Sequence, residues 1–340
     1  MRLEALCRLA RKRRLDSLVV CGEANVLALT GVKCDNAVLR FERAADGSAD
    51  FRFFTDFRYL AMVRRLAPSL GRSDLKRLAV HGRRIGYEGS IPVRAFDRFR
   101  KLAVRDAVFV DVGDDLAAIR SVKTRDEITR LKASQRLNLA IWREASAKFR
   151  PGMTEIEMAR VIRHLMVERG EGEEFETIVC VGKNAAECHH VPDGTVWNGR
   201  EPVLVDMGVR LNGVCSDLTR NILPRRMSAT YRRVYDLVRE AHDAAIAAAR
   251  PGMTAAALDK VARDVIRKGG FGKCFGHSLG HGVGYEIHEA PSLSSKNRKT
   301  VLKPGMVVTI EPGIYLEGNL GVRIEDMILI VDDGCEVLTV

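Results

Sequence analysis

Three short segments decide the reading of this chain: HSLGHGVGYEIHE (residues 277–289), VVTIEPGIY (307–315) and GVRIED (321–326). They bring His277, His281 and His288 together with the carboxylates of Glu311 and Glu325, amid glycines that an ordinary helix would not tolerate. With Asp206 and Asp217 upstream, they offer oxygen and nitrogen ligands of the kind that hold two divalent metals.

Two simpler readings fail on spacing. Residues 276–280, GHSLG, fit the elbow that presents a nucleophilic serine in α/β-hydrolases, but that site needs an acid and then a histidine downstream. The last histidine is His288, and the one acid between is its near neighbour Glu286. The pair His277 and His281 has the spacing of a helical zinc motif, yet Ser278 stands where the glutamate base belongs. Gly280, Gly282 and Gly284 would each cost a helix roughly 1 kcal/mol, so loop and strand geometry is expected.

Working outward, the segment RPGMT occurs at 150–154 and again at 250–254. Each copy follows an alanine-rich helical pattern and precedes another helix, 155–169 or 255–268, and each half then reaches an apolar strand ending in an acid, Asp206 or Glu311. This duplication predicts a pseudo-twofold site between the halves. Asn212-Gly213 between apolar runs is a two-residue hairpin signal. It pairs Leu211 with Val214 and therefore Asp206 with Thr219, which puts Asp206 and Asp217 on one face with β-carbons roughly 7 Å apart. Two acids on an apolar hairpin repel each other when buried unless a cation lies between them. Glu311 and Glu325 pose the same problem, so four acids around a histidine point to a di-metal site.

At 340 residues with 46% apolar composition, the chain suits two domains. A helix over 1–15, short strands at 17–21, 36–41, 51–54, 85–88 and 108–111, and a helix over 59–66 predict an α/β first domain. The turn segment ADGSAD (45–50) separates two of those strands, and a long helix is expected from Lys123 to about Lys148. No apolar run approaches the ~20 residues of a membrane span, and the charged N-terminal stretch lacks the apolar region of a signal peptide, so a cytoplasmic protein with no membrane partner is expected. Eight cysteines without a Cys-x-x-Cys pair read as reduced thiols, most of them buried. The net charge of +11 is spread through helical stretches without interleaved aromatics, which predicts a solvated basic surface and no nucleic-acid partner.

From residue 120 to residue 338 the chain resembles the pita-bread metallopeptidases, in their Xaa-Pro aminopeptidase and prolidase branch. The likeness runs through IRSVKTRDEI (119–128), FRPGMTEIEMA (149–159), FETIVCVGKNAAECHHVP (175–192), VLVDMG (203–208), CSDLTR (215–220) and the three segments quoted first. NVLALTG (25–31) and TDFRY (55–59) are similar to the family's accessory domain. The resemblance implies an α/β (α+β) chain with a creatinase-like domain over 1–122 and a pita-bread catalytic domain over 123–340. It implies that Asp206, Asp217, His281, Glu311 and Glu325 bind two metals, with Asp217 and Glu325 bridging. Mn²⁺ is expected, and the hard donor set also accommodates Co²⁺, Fe²⁺ or Zn²⁺.

By the same likeness a metal-bridging hydroxide attacks the scissile carbonyl while Glu311 manages the proton. His189 and His288 stand near the tetrahedral intermediate, His277 lines the proline pocket, and Arg323 orients a metal-binding carboxylate. The substrate implied is a peptide with proline second, hydrolysed by an aminopeptidase acting on longer chains. A prolidase acting on dipeptides is the alternative, since no arginine is assignable to a dipeptide's carboxylate. A non-catalytic binding protein on the same fold ranks lower, because every ligand position holds a competent ligand. Similar proteins also pair as homodimers through the accessory domain. The chain departs from the pattern at Leu27-Ala28 and at Tyr285, where a leucine-like residue is commoner, and both departures bear on pocket shape.

Overall fold

The computed structural model describes residues 2–43 and 48–339, so residues 45–47 of the expected ADGSAD turn lie outside the described residues. The chain divides into two units, Met1–Arg120 and Ser121–Val340.

In the first unit, strands β1 (Ser17–Val20), β2 (Ala37–Arg43), β3 (Ala49–Thr55), β4 (Gly71–Asp74), β5 (Arg84–Tyr87) and β6 (Val108–Asp111) form one sheet in the order β4-β3-β2-β1-β5-β6. Antiparallel pairs join β1, β2 and β3, and the outer pairs are parallel. Helices α1 (Leu3–Arg13), α2 (Glu23–Thr30), α3 (Phe57–Leu66), α4 (Val93–Leu102) and α5 (Gly113–Ser121) alternate with these strands. Both faces of the sheet are packed, one around Leu18, Leu39 and Phe53 and the other around Val19, Phe54 and Ile85. This alternation along each strand is what a sheet covered on both sides requires.

The second unit is built twice. Helices α6 (Arg125–Lys148) and α7 (Glu155–Arg169) precede β7 (Ile178–Val181), β8 (Val203–Met207), β9 (Arg210–Leu211), β10 (Val214–Cys215) and β11 (Leu218–Ile222). Helices α8 (Ala229–Ala248) and α9 (Ala255–Lys268) precede β12 (Gly280–Gly282), β13 (Glu289–Leu293), β14 (Val307–Ile310), β15 (Gly313–Leu316), β16 (Leu320–Arg323), β17 (Asp326–Val331) and β18 (Gly334–Val337). Both RPGMT copies act alike. Each threonine caps the next helix, with Thr154 accepting from the Glu157 amide and Thr254 from the Ala257 amide. Gly152 and Gly252 share a positive φ, and their N–H groups donate to Trp197 and Leu302. The next residue's carbonyl then accepts from the same partner, Met153 from Trp197 and Met253 from Leu302. The duplication is therefore one of backbone hydrogen bonding as well as of sequence.

The hairpin register is the one the Asn-Gly turn predicts. Asn212 and Gly213 carry φ of 54° and 72°, Leu211 pairs with Val214, and Asp206 pairs with Thr219. In the second half β14 pairs with β17, so that Ile310 lies opposite Asp326 and the acids on either side of this rung end the two strands together. Strands β15 and β16 form a separate hairpin. Each half has its own apolar core, around Met158, Ile162 and Val205 in one and Val238, Leu258 and Ile328 in the other.

The cysteines are free, as expected, but only Cys34, Cys180 and Cys215 are buried. The other five are half-buried. Among the described residues, no helix is long and apolar enough to cross a membrane.

The two halves meet closely at Gly321, where an added β-carbon would lie 1.7 Å from the Ala185 carbonyl oxygen. A backbone oxygen in that position cannot swing aside. Gly321→Ala is expected to destabilise the fold by about 1–3 kcal/mol, the range of overpacked sites, read as a lowered urea midpoint. An unchanged midpoint would show that the β16 contact gives way freely.

Candidate metal centre

Strand ends and turns deliver each candidate ligand to one place. Asp206 lies in β8, Asp217 immediately precedes β11, His281 sits in β12, Glu311 follows β14, and Glu325 stands between β16 and β17. Ligand atoms of Asp217, His281 and Glu325 lie within 4.8 Å of one another. His281 Nε2 is 3.6 Å from Asp217 Oδ2 and 3.3 Å from Glu311 Oε1. Asp206 joins the group through Arg323, whose NH2 donates to Asp206 Oδ2 at 2.6 Å.

The electrostatics of this group are unfavourable as they stand. Asp217 is pushed well above the usual carboxylate range by burial and then by Glu325, Asp206 and Glu311. Glu325, 1% exposed, is raised by burial and then by Glu311 and Asp206. Burial pushes Glu311 up to about 8, with the Arg323 charge opposing and Asp206 adding to the rise. Among the described residues, Arg323 is the one cation paired with these carboxylates, and it offsets one charge of four.

Donor chemistry gives a direct test of whether metal fits. His281 Nδ1–H donates to the Gly282 carbonyl at 3.1 Å, so Nε2 presents a lone pair to the two carboxylates. Burial first, and then His288, hold this imidazole's pKa down at about 4, in its neutral form. Asp206 Oδ1 and Asp217 Oδ1 are buried without a hydrogen-bond partner. A lone pair facing carboxylate oxygens, with two buried acceptors lacking donors, is an arrangement that cations complete. The residues present fit divalent metal.

Polar neighbours hold the ligands in place. Thr219 Oγ1 donates to Glu325 Oε2 at 2.7 Å and accepts from Arg323 Nε at 3.0 Å. Thr309 Oγ1 accepts from the His281 amide at 3.0 Å and donates to Glu311 Oε1 at 3.2 Å. Tyr315 O–H accepts from Arg323 NH1 at 2.9 Å and donates to His277 Nε2 at 3.0 Å. His277 Nδ1–H is already committed to the Ser278 carbonyl, which leaves Nε2 as the acceptor. Burial holds His277 at about 4, and this neutral ring packs against Phe275 and Tyr315.

The remaining candidates lie at the rim. The His288 ring is 4.3 Å from the His281 ring and is exposed. His189 is exposed too, and its charge is felt at His277. Its neighbour His190 is buried and donates from Nε2 to Glu155 at 2.7 Å. Glu155, His190 and Asp193 form a second cluster of metal-binding types. Both Glu155 oxygens there already accept two hydrogen bonds, so no lone pair is left for a cation.

Sequence reasoning assigned no role to Thr219, Thr309 or Tyr315. The two threonines lie two residues from a ligand on alternating strands, a spacing that puts both side chains on one face. Tyr285 is buried; its hydroxyl donates to Glu127 Oε1 at 2.8 Å and accepts from Arg130 at 3.0 Å. It therefore ties the loop before His288 to α6.

With this geometry in place, the comparisons with known proteins can be read. The description "Metallopeptidase family M24" matches residues 129–332. A Pyrococcus furiosus protein named Xaa-Pro dipeptidase is 39% identical over 258 residues, covering 75% of this chain and 73% of its own. The structure of a Bacillus anthracis Xaa-Pro dipeptidase superposes with a TM-score of 0.92 at 30% identity, covering 99% of this chain and 96% of that one. A Thermotoga maritima X-Pro aminopeptidase gives 0.86 at 29%, covering 98% and 97%. The fold and site thus define a pita-bread metallohydrolase with a preceding α/β domain. The chain belongs to metallopeptidase family M24, whose members use divalent metal.

Glu325 and Asp326 separate metal binding from fold. Asp326 turns to the other face, where it pairs with Arg220 at 2.7 Å and faces His242 at 3.2 Å. Glu325→Ala is expected to retain fewer than two metals per chain after dialysis and to be nearly inactive, whereas Asp326→Ala retains two. Elemental analysis checks this, and full occupancy in Glu325→Ala would remove Glu325 from the ligand set.

Proposed function

We propose that the protein is a cytoplasmic Xaa-Pro dipeptidase that hydrolyses the bond between an N-terminal residue and a following proline. The reading rests on the family, the intact donor set and the 39% identity to a protein named for that activity. It reverses the order reached from sequence, where longer peptides came first because no arginine was assignable to a dipeptide's carboxylate. The likeness to relatives named as dipeptidases outweighs that missing residue. Residues 1–122 serve as the accessory domain. The uniformly free cysteines accord with a reducing compartment.

In this reading Asp206, Asp217, His281, Glu311 and Glu325 hold two divalent metals, and the four carboxylates with one imidazole favour Mn²⁺. The metals would supply Lewis acidity toward the scissile carbonyl. Hydrolysis adds water to the carbonyl carbon as the C–N bond breaks; Glu311 takes the proton that this water loses and passes it to the proline nitrogen, which leaves as a secondary amine. Exposed His288, beside His281, donates a hydrogen bond to the oxygen that gains charge, and exposed His189 assists. His277, held neutral by burial and fixed in orientation by Ser278 and Tyr315, offers an apolar ring face to proline. An Xaa-Pro bond has no N–H, so a pocket that asks for no hydrogen bond there selects it.

Two measurements test the reading. With Mn²⁺ present, Ala-Pro is expected to be cleaved faster than Ala-Pro-Gly, and Ala-Ala to be a poor substrate. A faster tripeptide would restore the aminopeptidase reading, and equal rates on Ala-Pro and Ala-Ala would refute the proline pocket. His288→Ala should keep both metals and lose roughly 10²-fold or more in kcat. Loss of metal together with activity would make His288 a ligand.

A further inference from the structure

Glu155 is the first residue of α7, next to the capping Thr154, and its side chain is 0% exposed. Burying an ionised carboxylate is costly unless hydrogen bonds replace its water. Here all four replacements come from one segment. Oε1 accepts from the Val181 amide at 2.6 Å and from Asn184 Nδ2 at 2.9 Å. Oε2 accepts from His190 Nε2 at 2.7 Å and from the Asp193 amide at 3.0 Å. The donors bracket residues 181–193, and His189 lies inside that bracket. Because the His190 ring is drawn inward onto Glu155, its chain neighbour His189 is turned to the exposed side.

The second half has a matching device. Asp259, one turn further along α9, is also 0% exposed. Its Oδ1 accepts from the Leu279 amide at 3.1 Å, and both oxygens pair with Arg263. Arg263 in turn donates to the carbonyls of Phe275 and His277 at 2.9 and 2.8 Å. In each half a buried acid on the helix after RPGMT thus holds the segment that carries one of the candidate histidines, His189 or His277.

We propose that Glu155 is a positioning residue that acts through His189. It fixes the 181–193 segment so that the His189 imidazole stands at the rim of the metal centre. The inference rests on the role given to His189 under Proposed function. Glu155 touches neither metal ligand nor substrate, so its removal should change how often His189 is in place and leave metal content alone. An amide in place of the carboxylate presents an N–H pair to groups that are all donors, so Glu155→Gln preserves volume and breaks part of the bracket.

A double-mutant cycle on the Mn²⁺-loaded protein with Ala-Pro tests this. Glu155→Gln is expected to lower kcat about tenfold with KM within about twofold, the size of effect seen when a ligand-orienting contact is lost. In a His189→Ala background the same change should alter kcat less than about twofold, whereas in a His277→Ala background the full tenfold loss should persist. Equal losses in both backgrounds, or loss of bound metal, would overturn the proposal. His190→Gln, which removes a different member of the bracket, should show the same coupling to His189 and covers the case where Glu155→Gln folds poorly. Amide hydrogen exchange keeps the inference separate from the substrate reading: Glu155→Gln should speed exchange in 182–197 and not in 275–279. If the unaltered protein cleaves no Xaa-Pro dipeptide, the substrate reading fails while exchange still decides whether Glu155 holds the segment, and unchanged exchange would refute it.

Discussion

Four carboxylates gathered around one imidazole lone pair, two of them buried and two half-buried, set the terms for the rest of the second unit. Asp217, Glu311 and Glu325 are held above the usual carboxylate range by burial first and then by neighbouring acids, and Arg323 offsets only one charge of the group. Such a group is tolerable only if the chain holds it rigidly and leaves room for cations. The surrounding polar residues follow from that need. Thr219 and Thr309 each supply a hydroxyl that touches a ligand carboxylate on one side and a fixed donor on the other. Arg323, 3% exposed, links Asp206, Thr219 and Tyr315 and so makes their positions interdependent.

Duplication explains how one chain assembles this centre. Two copies of a helix, RPGMT turn, helix and strand repeat the same backbone bonds, and each half ends an apolar strand in an acid. The copies have diverged where their histidine segments are held. Glu155 works alone, with four donors drawn from a loop. Asp259 works with Arg263, and the pair reaches a different set of carbonyls and amides. Separate anchors allow His189 and His277 to sit at different depths, one exposed and the other half-buried.

Much of this was legible from local pattern. Helix 155–169 and helix 255–268 begin after threonine caps and run as their periodicity predicts, and the Asn212-Gly213 turn set the register that faces Asp206 with Thr219. Local signals suffice there because caps, turns and alternation act within a few residues. The burial of the cysteines was misjudged and the Tyr285 contact was not foreseen, since each depends on what packs against the residue from far along the chain. Tyr285 meets Glu127, 158 residues away.

By itself the sequence determined the duplicated architecture, through spacing and periodicity, and the family, through the motifs that carry the resemblance; it also named the candidate donors. Only the tertiary structure decided which hydroxyl serves which carboxylate, which of two adjacent histidines turns inward, and that the second cluster at Glu155 has no lone pair to offer a metal. Those outcomes rest on contacts such as Thr219 with Glu325 and His190 with Glu155, 106 and 35 residues apart. A hydrogen bond needs its partners within about 3 Å and well aligned, and no periodicity along the chain encodes that distance.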